Sequence, residues 1–322
     1  MSAKSVYVSR IIPESGINLL VNAGYAVQMN PLARPPGADD LLAEAGKHDA
    51  FVCQLTDRID RRFLKTAAPK CKIVANCAVG IDNIDLAAAT EFNVVISNTP
   101  DVLTESTADL TFALLLATAR RLGEAERLVR AGAWRGLGML DFLGSDVFGK
   151  TLGIVGAGRI GTAVAKRARG FDMNILYCNR NSNPLMEKLG ARRVSLQELM
   201  QRSEFISLNM PLTEETHHLI NANALAGVKR GAILINTARG AVVDQVELIK
   251  ALRDGRLAAA GLDVYEKEPT VAPELLAMEN VVLLPHIGSA TVTTRNRMAE
   301  MAASNVIEVL SGRPPRNPVI QC

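Results

Sequence analysis

Arg239, Glu268 and His286 each stand just beyond a short apolar run, and their types make a coherent chemical set. A guanidinium clamps a carboxylate through two parallel hydrogen bonds and polarises a neighbouring carbonyl. An imidazole serves as a general acid near neutral pH. A glutamate beside it favours the imidazolium and fixes the ring. Arg239 follows the run 232–236 in Ile-Asn-Thr-Ala-Arg-Gly. Asp263 and Glu268 follow the run 258–262 in Gly-Leu-Asp-Val-Tyr-Glu-Lys-Glu-Pro. His286 follows the run 281–284 and Pro285. If those runs are parallel strands, all three addresses are C-terminal strand ends, where open α/β sheets bind ligands. Spacing alone leaves open that these are three unrelated surface charges. The other histidines, His48, His217 and His218, have polar neighbours and are expected at the surface.

A second motif supplies a partner for such a set. Gly-Ile-Val-Gly-Ala-Gly-Arg-Ile-Gly at 153–161 reads as a strand turning sharply into a helix. Gly156 permits the tight turn, Gly158 lets the backbone approach a pyrophosphate, and Gly161 lets helix and strand pack closely. The phosphates would sit on the amides that open the helix, where the dipole favours anions. The next apolar run, 174–178, ends in Asn179 and Arg180. NAD enzymes carry an acid at that point for the ribose hydroxyls. A carboxylate would repel a 2′-phosphate, whereas Asn-Arg can bind one, so NADP is the expected cofactor and NAD a less efficient one. The alternative for Arg180 is a solvated surface charge.

The elements that must position these residues alternate. Apolar runs at 6–9, 26–30, 50–55, 72–77 and 94–98 are separated by helical patterns such as 15–23 and 57–67. The alternation restarts with runs at 151–155, 174–178, 192–194, 204–209, 232–236, 258–262 and 281–284. This is the signature of parallel βαβ units. It predicts an α/β protein of two doubly wound parallel-sheet domains, with residues 1–99 completed by 290–322 and a dinucleotide-binding domain spanning 100–289. A stretch at 104–131 reads as one long helix, apolar nearly all round at 110–119. A surface helix carries only an apolar stripe, so this one is expected against another domain or a second subunit. Residues 290–310 read as one amphipathic helix returning the chain to the first domain. Arg313-Pro314-Pro315 opens a terminal tail.

Composition excludes several function classes. The 322 residues are 48% hydrophobic and 21% charged, with a net charge of +3 and 13 aromatics. That describes a core-forming globular chain with no basic surface for nucleic acid. No apolar run reaches the length of a membrane span, and no leader pattern opens the chain. The cysteines Cys53, Cys71, Cys77, Cys178 and Cys322 are odd in number and fit no zinc spacing. They are expected as buried, reduced thiols of a cytoplasmic protein with no metal.

The chain resembles the D-isomer-specific 2-hydroxyacid dehydrogenase family nearly from end to end. The resemblance rests on Ala78-Val79-Gly80-Ile81-Asp82-Asn83-Ile84-Asp85, on Asn98-Thr99-Pro100 through Asp109, and on the glycine loop. It continues through Asn236-Thr237-Ala238-Arg239-Gly240, Gly261-Leu262-Asp263-Val264 through Glu268-Pro269, and Pro285-His286-Ile287-Gly288-Ser289-Ala290. In detail it is similar to the glyoxylate/hydroxypyruvate reductases. The resemblance implies a Rossmann domain inserted into a flavodoxin-like substrate domain. It implies that Arg239 binds the substrate carboxylate and carbonyl, that His286 donates the proton, and that Glu268 pairs with His286. Val79 and Gly80 would offer backbone amides to the carboxylate. Thr107, Arg159 and Ile160 would contact the pyrophosphate. Met210, Pro211, Thr237, Ala238 and Asp263 would line the nicotinamide half, closed by His286 and Gly288. The long central helix would be the dimer element. Trp134 either reaches the partner's pocket or packs in the interface. Asn179 departs from the NAD-dependent pattern.

The expected function is NADPH-dependent reduction of glyoxylate or hydroxypyruvate by a cytoplasmic homodimer. The alternatives are reduction of a longer sugar 2-keto acid such as 2-ketogluconate and a corepressor-like NAD(P)-sensing protein. Substrate held from both domains would require closure, with hinges near 98–100 and 288–291.

Overall fold

The computed structural model describes residues 3–31 and 34–320. The chain divides into two units, residues 1–103 with 289–322, and residues 104–288.

The first unit is built on a six-stranded sheet. Its strands are β1 (Ser5–Val8), β2 (Ala26–Met29), β3 (Ala50–Cys53), β4 (Ile73–Asn76), β5 (Val95–Ser97) and, from the far end of the chain, β13 (Pro318–Ile320). They lie in the order β13-β5-β4-β3-β1-β2. The first five are mutually parallel, and their order 2-1-3-4-5 is that of the flavodoxin-like doubly wound fold. β3 and β4 are buried at every residue, because helices cover both faces and a parallel sheet then reads as a continuous apolar run. The helix Val292–Leu310 covers one face, burying Ala299, Ala302, Ala303 and Val306 with Val6, Val8 and Val52.

The second unit has seven parallel strands: β6 (Thr151–Val155), β7 (Asn174–Cys178), β8 (Arg192–Arg193), β9 (Phe205–Leu208), β10 (Ala232–Asn236), β11 (Leu257–Leu262) and β12 (Val281–Leu283). Their order is β12-β11-β10-β9-β6-β7-β8. Counted from β6 this is the dinucleotide-binding order 3-2-1-4-5-6 with one added strand, and its direction reverses between β6 and β9. The fold class is therefore α/β, with two doubly wound sheets and the Rossmann unit inserted in the sequence of the other.

Several expectations are corrected. The stretch 104–131 is two helices, Thr104–Ala119 and Leu122–Arg130, broken where Arg121 takes a left-handed φ of 53°. The cause is long-range: the returning chain caps the first helix through the Ser145 N–H, which donates to the Ala119 carbonyl at 2.8 Å. Nor does the apolar helix need a foreign partner. It packs within its own unit, its Leu114 and Leu115 sharing a core with Ile154, Ile233 and Ile235. The tail after Pro315 carries β13, antiparallel to β5. It is pinned by Arg316 to Glu308 at 2.9 Å and by the Asn317 N–H to the Asn305 carboxamide oxygen at 3.0 Å. The antiparallel strand covers an open sheet edge. The final helix starts at Val292, with Thr291 as its cap. The helix anticipated from residue 57 starts at Arg61. Asp57 is instead buried in a turn, where its carboxylate accepts the Gln54 N–H at 2.7 Å.

His48 is not a surface residue. It is buried against Tyr7 and Phe51, with its Nε2 3.1 Å from Glu44 Oε2. His218 is half-buried and lies 3.1 Å from Glu266, while His217 is exposed. Cys53 and Cys71 are buried free thiols, whereas Cys77 and Cys178 are only partly buried. Cys322 lies outside the described residues. Among the described residues no helix is long and apolar enough to cross a membrane, and no cluster of metal-ligating side chains occurs.

Candidate active site

In the second unit the glycine loop follows β6, and its glycines answer to different constraints. Gly156 has φ +92°, and a Cβ there would sit 2.6 Å from the Met210 backbone nitrogen. A Cβ on Gly161 would sit 2.1 Å from the Gly156 carbonyl oxygen. Both are required by the protein itself. Gly158 is not: its φ is −79° and a Cβ would meet nothing within 4 Å. It is the N-cap of the ten-residue helix Arg159–Ala168, and no side chain caps that helix. An open cradle at an uncapped helix N-terminus suits a dinucleotide pyrophosphate, so the residues present fit a nicotinamide cofactor. Ile160 is half-buried in the first turn behind Arg159.

The loop is braced from its side. Asn183 Nδ2 donates to the Ala157 carbonyl at 2.7 Å and to Thr162 Oγ1 at 3.1 Å. Asn179, just past β7, accepts the Ala157 N–H on Oδ1 at 3.3 Å. Arg180 beside it is exposed.

The remaining strand ends carry the other candidates. Met210 is buried after β9 against the glycine turn, and Pro211 is exposed. After β10, the Asn236 side chain closes the turn that presents Arg239. Its Nδ2 donates to the Arg239 carbonyl at 2.9 Å, and its Oδ1 accepts the Ala238 N–H at 3.0 Å. Thr237 shares a 2.7 Å hydroxyl contact with Thr111, whose own hydroxyl donates to the Thr107 carbonyl at 2.8 Å. After β11, Asp263 accepts the Ile287 and Gly288 amides at 2.7 and 2.8 Å, fixing the backbone on the far side of His286. Burial pushes the Asp263 carboxyl above its usual range against those two hydrogen bonds. A Cβ on Gly288 would meet both Thr107 and Asp263, at 3.3 and 3.4 Å, so these three residues share one corner.

Past β12, His286 holds a left-handed φ of 55°, a conformation uncommon for a residue with a side chain. Its Nδ1 lies 2.8 Å from Glu268 Oε2. Glu268 also accepts the Tyr265 N–H on Oε1 at 3.1 Å. Burial works to raise the Glu268 carboxyl, but the hydrogen bond and charge of His286 outweigh it, with Arg239 contributing, and the group is held below its usual range. An ionised carboxylate only accepts, so the proton between the pair belongs to His286 Nδ1. Nε2 is then the ring atom left to exchange a proton with a ligand. Arg239 is close enough for its charge to bear on Glu268. Arg239, Glu268 and His286 thus share one region at the C-terminal edge of the sheet. Asn179 and Arg180 lie past β7, on the opposite side of β6.

In the first unit, Val79 and Gly80 follow β4. The Ala78 carbonyl accepts the Thr99 N–H at 2.9 Å, Val79 the Asn98 side chain at 2.9 Å, and Gly80 the Asn76 side chain at 2.8 Å. In a trans peptide the next N–H points opposite to the carbonyl. The amides of Val79, Gly80 and Ile81 are therefore turned away from these anchors, as a cradle for an anion requires.

Tyr265, Asn183 and the Asn236 side chain support the site in ways not expected from the sequence. Asn236 had a readable signal, since an Asn heading a short turn closes it with its own carboxamide. Tyr265 had none: its hydroxyl donates to the Leu284 carbonyl at 2.8 Å, across two strands.

Residues 112–288 match the family model described as D-isomer specific 2-hydroxyacid dehydrogenase, NAD binding domain. The chain is 50% identical over 315 residues to the glyoxylate reductase of Thermococcus onnurineus, covering 96% of this chain and 94% of that one. It superposes on the crystal structure of a Thermus thermophilus protein with a TM-score of 0.92 and 45% identity, over 98% of this chain and all of that one. It is also similar to an NADPH-dependent glyoxylate/hydroxypyruvate reductase of Sinorhizobium meliloti, solved with NADP and malonate. There the TM-score is 0.87 and the identity 33%, over 99% and 97% of the two chains. With the glycine loop and the strand-end residues in one Rossmann unit, the chain belongs to the D-isomer-specific 2-hydroxyacid dehydrogenase family.

Proposed function

We propose that this protein reduces a short 2-oxo acid, glyoxylate or hydroxypyruvate foremost, to the D-2-hydroxy acid with NADPH. The observation that carries the reading is the Glu268-tethered His286 beside Arg239, on the same sheet edge as the open Gly158 cradle. The names of the Thermococcus and Sinorhizobium relatives support the substrate class.

Each residue then has a task. Arg239 grips the substrate carboxylate with its planar fork and polarises the adjacent carbonyl. In the first unit, the Val79 and Gly80 amides, turned away from their carbonyl anchors, are donors suited to a carboxylate. A bound nicotinamide supplies the hydride. His286 holds a proton on Nε2 and passes it to the carbonyl oxygen, because Nδ1 is committed to Glu268. Glu268 stabilises the charged ring and fixes its plane. Asp263 sets the position of His286 by holding the next two amides. Thr107, Arg159 and Ile160 would face the pyrophosphate around Gly156, Gly158 and Gly161. Met210, Pro211, Thr237, Ala238, Asp263 and Gly288 would enclose the nicotinamide half. Asn179 and Arg180 favour a 2′-phosphate over two free ribose hydroxyls, with NAD accepted less efficiently.

The first unit is read as the substrate domain, and the protein as a cytoplasmic homodimer. Leu137, Met139 and Leu140 are more than 80% exposed, and Trp134 is 61% exposed, in the segment after Arg130. So much exposed apolar surface in one segment favours a second copy as its cover. The test of function is a panel of 2-oxo acids assayed with NADPH and NADH. Glyoxylate and hydroxypyruvate with NADPH should give the highest kcat/KM. No turnover of any 2-oxo acid would overturn the reading.

A further inference from the structure

We propose that Arg193 is a second guanidinium of the 2′-phosphate site and a specificity-determining residue alongside Arg180. The proposal rests on the NADP reading above.

β8 adds only two residues to the sheet, and Arg193 pairs in register with Tyr177, one residue before the end of β7. From there its side chain reaches past the strand end. Nε and Nη2 donate to the Asn179 carbonyl at 3.3 and 3.1 Å, and Nη2 also donates to the Arg180 carbonyl at 2.5 Å. The guanidinium therefore lies against the turn on which a ribose 2′-substituent rests in this fold.

Its charge is not spent on a carboxylate. Among the described residues Arg193 enters no ion pair, whereas neighbouring Arg192 is held by Glu198 at 2.7 Å. Two carbonyls occupy Nε and Nη2, and Nη1 makes no hydrogen bond among the described residues. A guanidinium carries five N–H donors in a fixed fork, so part of the fork remains for an anion.

The other groups at this turn need the help. The Asn179 carboxamide is engaged at both ends, with Oδ1 on the Ala157 N–H at 3.3 Å and Nδ2 on the Asn181 carbonyl at 3.0 Å. Arg180 is exposed, and the Glu215 carboxylate lies within reach of its charge. Arg193 is thus the cation whose position the turn itself fixes. It also orders the backbone that presents Arg180.

The test is calorimetric titration of the full-length protein with 2′,5′-ADP and with 5′-AMP, which differ only in the 2′-phosphate. Wild type should bind 2′,5′-ADP the more tightly. Arg193→Ala should lose roughly 10- to 100-fold for 2′,5′-ADP, the worth of a charge-assisted contact, and keep its 5′-AMP affinity. Arg193→Lys should recover part of the loss, because it keeps the charge without the fork. If Arg193→Ala keeps the full advantage of 2′,5′-ADP, the proposal fails while the NADP reading stands. An equal loss for both ligands would reduce Arg193 to a structural role and also overturn it. If wild type does not distinguish the ligands, the NADP reading itself fails, and this proposal with it.

Discussion

Gly158→Ala should separate folding from cofactor binding, because the protein places no demand of its own on that glycine. A methyl there meets no atom within 4 Å, and the backbone φ of −79° suits alanine. Two small terms set the stability change. Alanine restricts the unfolded chain, which stabilises by about 0.4–1 kcal/mol. It is a poorer N-cap than glycine, which costs a similar amount. The net change should be under about 1 kcal/mol, a melting shift of a few degrees at most. Gly161→Ala is the contrast. Its methyl would sit 2.1 Å from the Gly156 carbonyl oxygen, so helix and strand must separate. Overpacking of that kind costs about 1–3 kcal/mol. NADPH affinity should nevertheless fall at least tenfold in Gly158→Ala, since the methyl projects where a pyrophosphate must approach the helix amides. Thermal unfolding by circular dichroism and NADPH titration by fluorescence measure the two effects. A Gly158→Ala protein with wild-type NADPH affinity would refute the cradle. One destabilised as much as Gly161→Ala would refute the packing argument.

Three further outcomes follow from the site. Arg239→Lys keeps the charge but loses the planar fork, so kcat/KM for the 2-oxo acid should fall strongly with NADPH affinity intact; wild-type kinetics would mean that a point charge suffices. Asn179→Asp with Arg180→Ala should shift kcat/KM toward NADH by repelling a 2′-phosphate and deleting a partner for it; a wild type that already prefers NADH would contradict the strand-end reading. Glu268 has its native pKa lowered by His286 despite burial. Its stabilising contribution is therefore present above the unfolded carboxyl pKa and is lost as pH falls through the native one. The stability gap between wild type and Glu268→Gln should therefore close as the protein is taken into acid, and a gap that widens in acid would count against the ion pair.

What could be read in advance follows the range of the interactions. The two parallel sheets were legible because a strand covered on both faces reads as a near-continuous apolar run, as Ala50–Cys53 and residues 73–75 do, with the buried Asn76 closing the second. The turn at Gly156 was legible because its φ is a local demand. The break at Arg121 was not, because the Ser145 amide that caps the preceding helix lies 24 residues on. β13 escaped notice for the same reason: its anchors, Asn305 and Glu308, sit on the helix before it, and its pairing partner β5 is more than 200 residues away. His48 has polar neighbours in sequence, yet its ring is buried by Tyr7 and Phe51, which sequence distance concealed. At the site, residue types at strand ends were readable. The supports supplied by Tyr265, Asn183 and Arg193 were not, since each crosses to another strand or loop.

The most direct test of the central claim is NADPH oxidation with glyoxylate by wild type and by His286→Asn, with NADPH affinity measured on both. Wild type should turn over glyoxylate. His286→Asn should lose roughly 10²- to 10⁴-fold in kcat, the weight of a positioned proton donor, while binding NADPH as before. Near-normal kcat in His286→Asn would remove His286 from the chemistry and contradict the account.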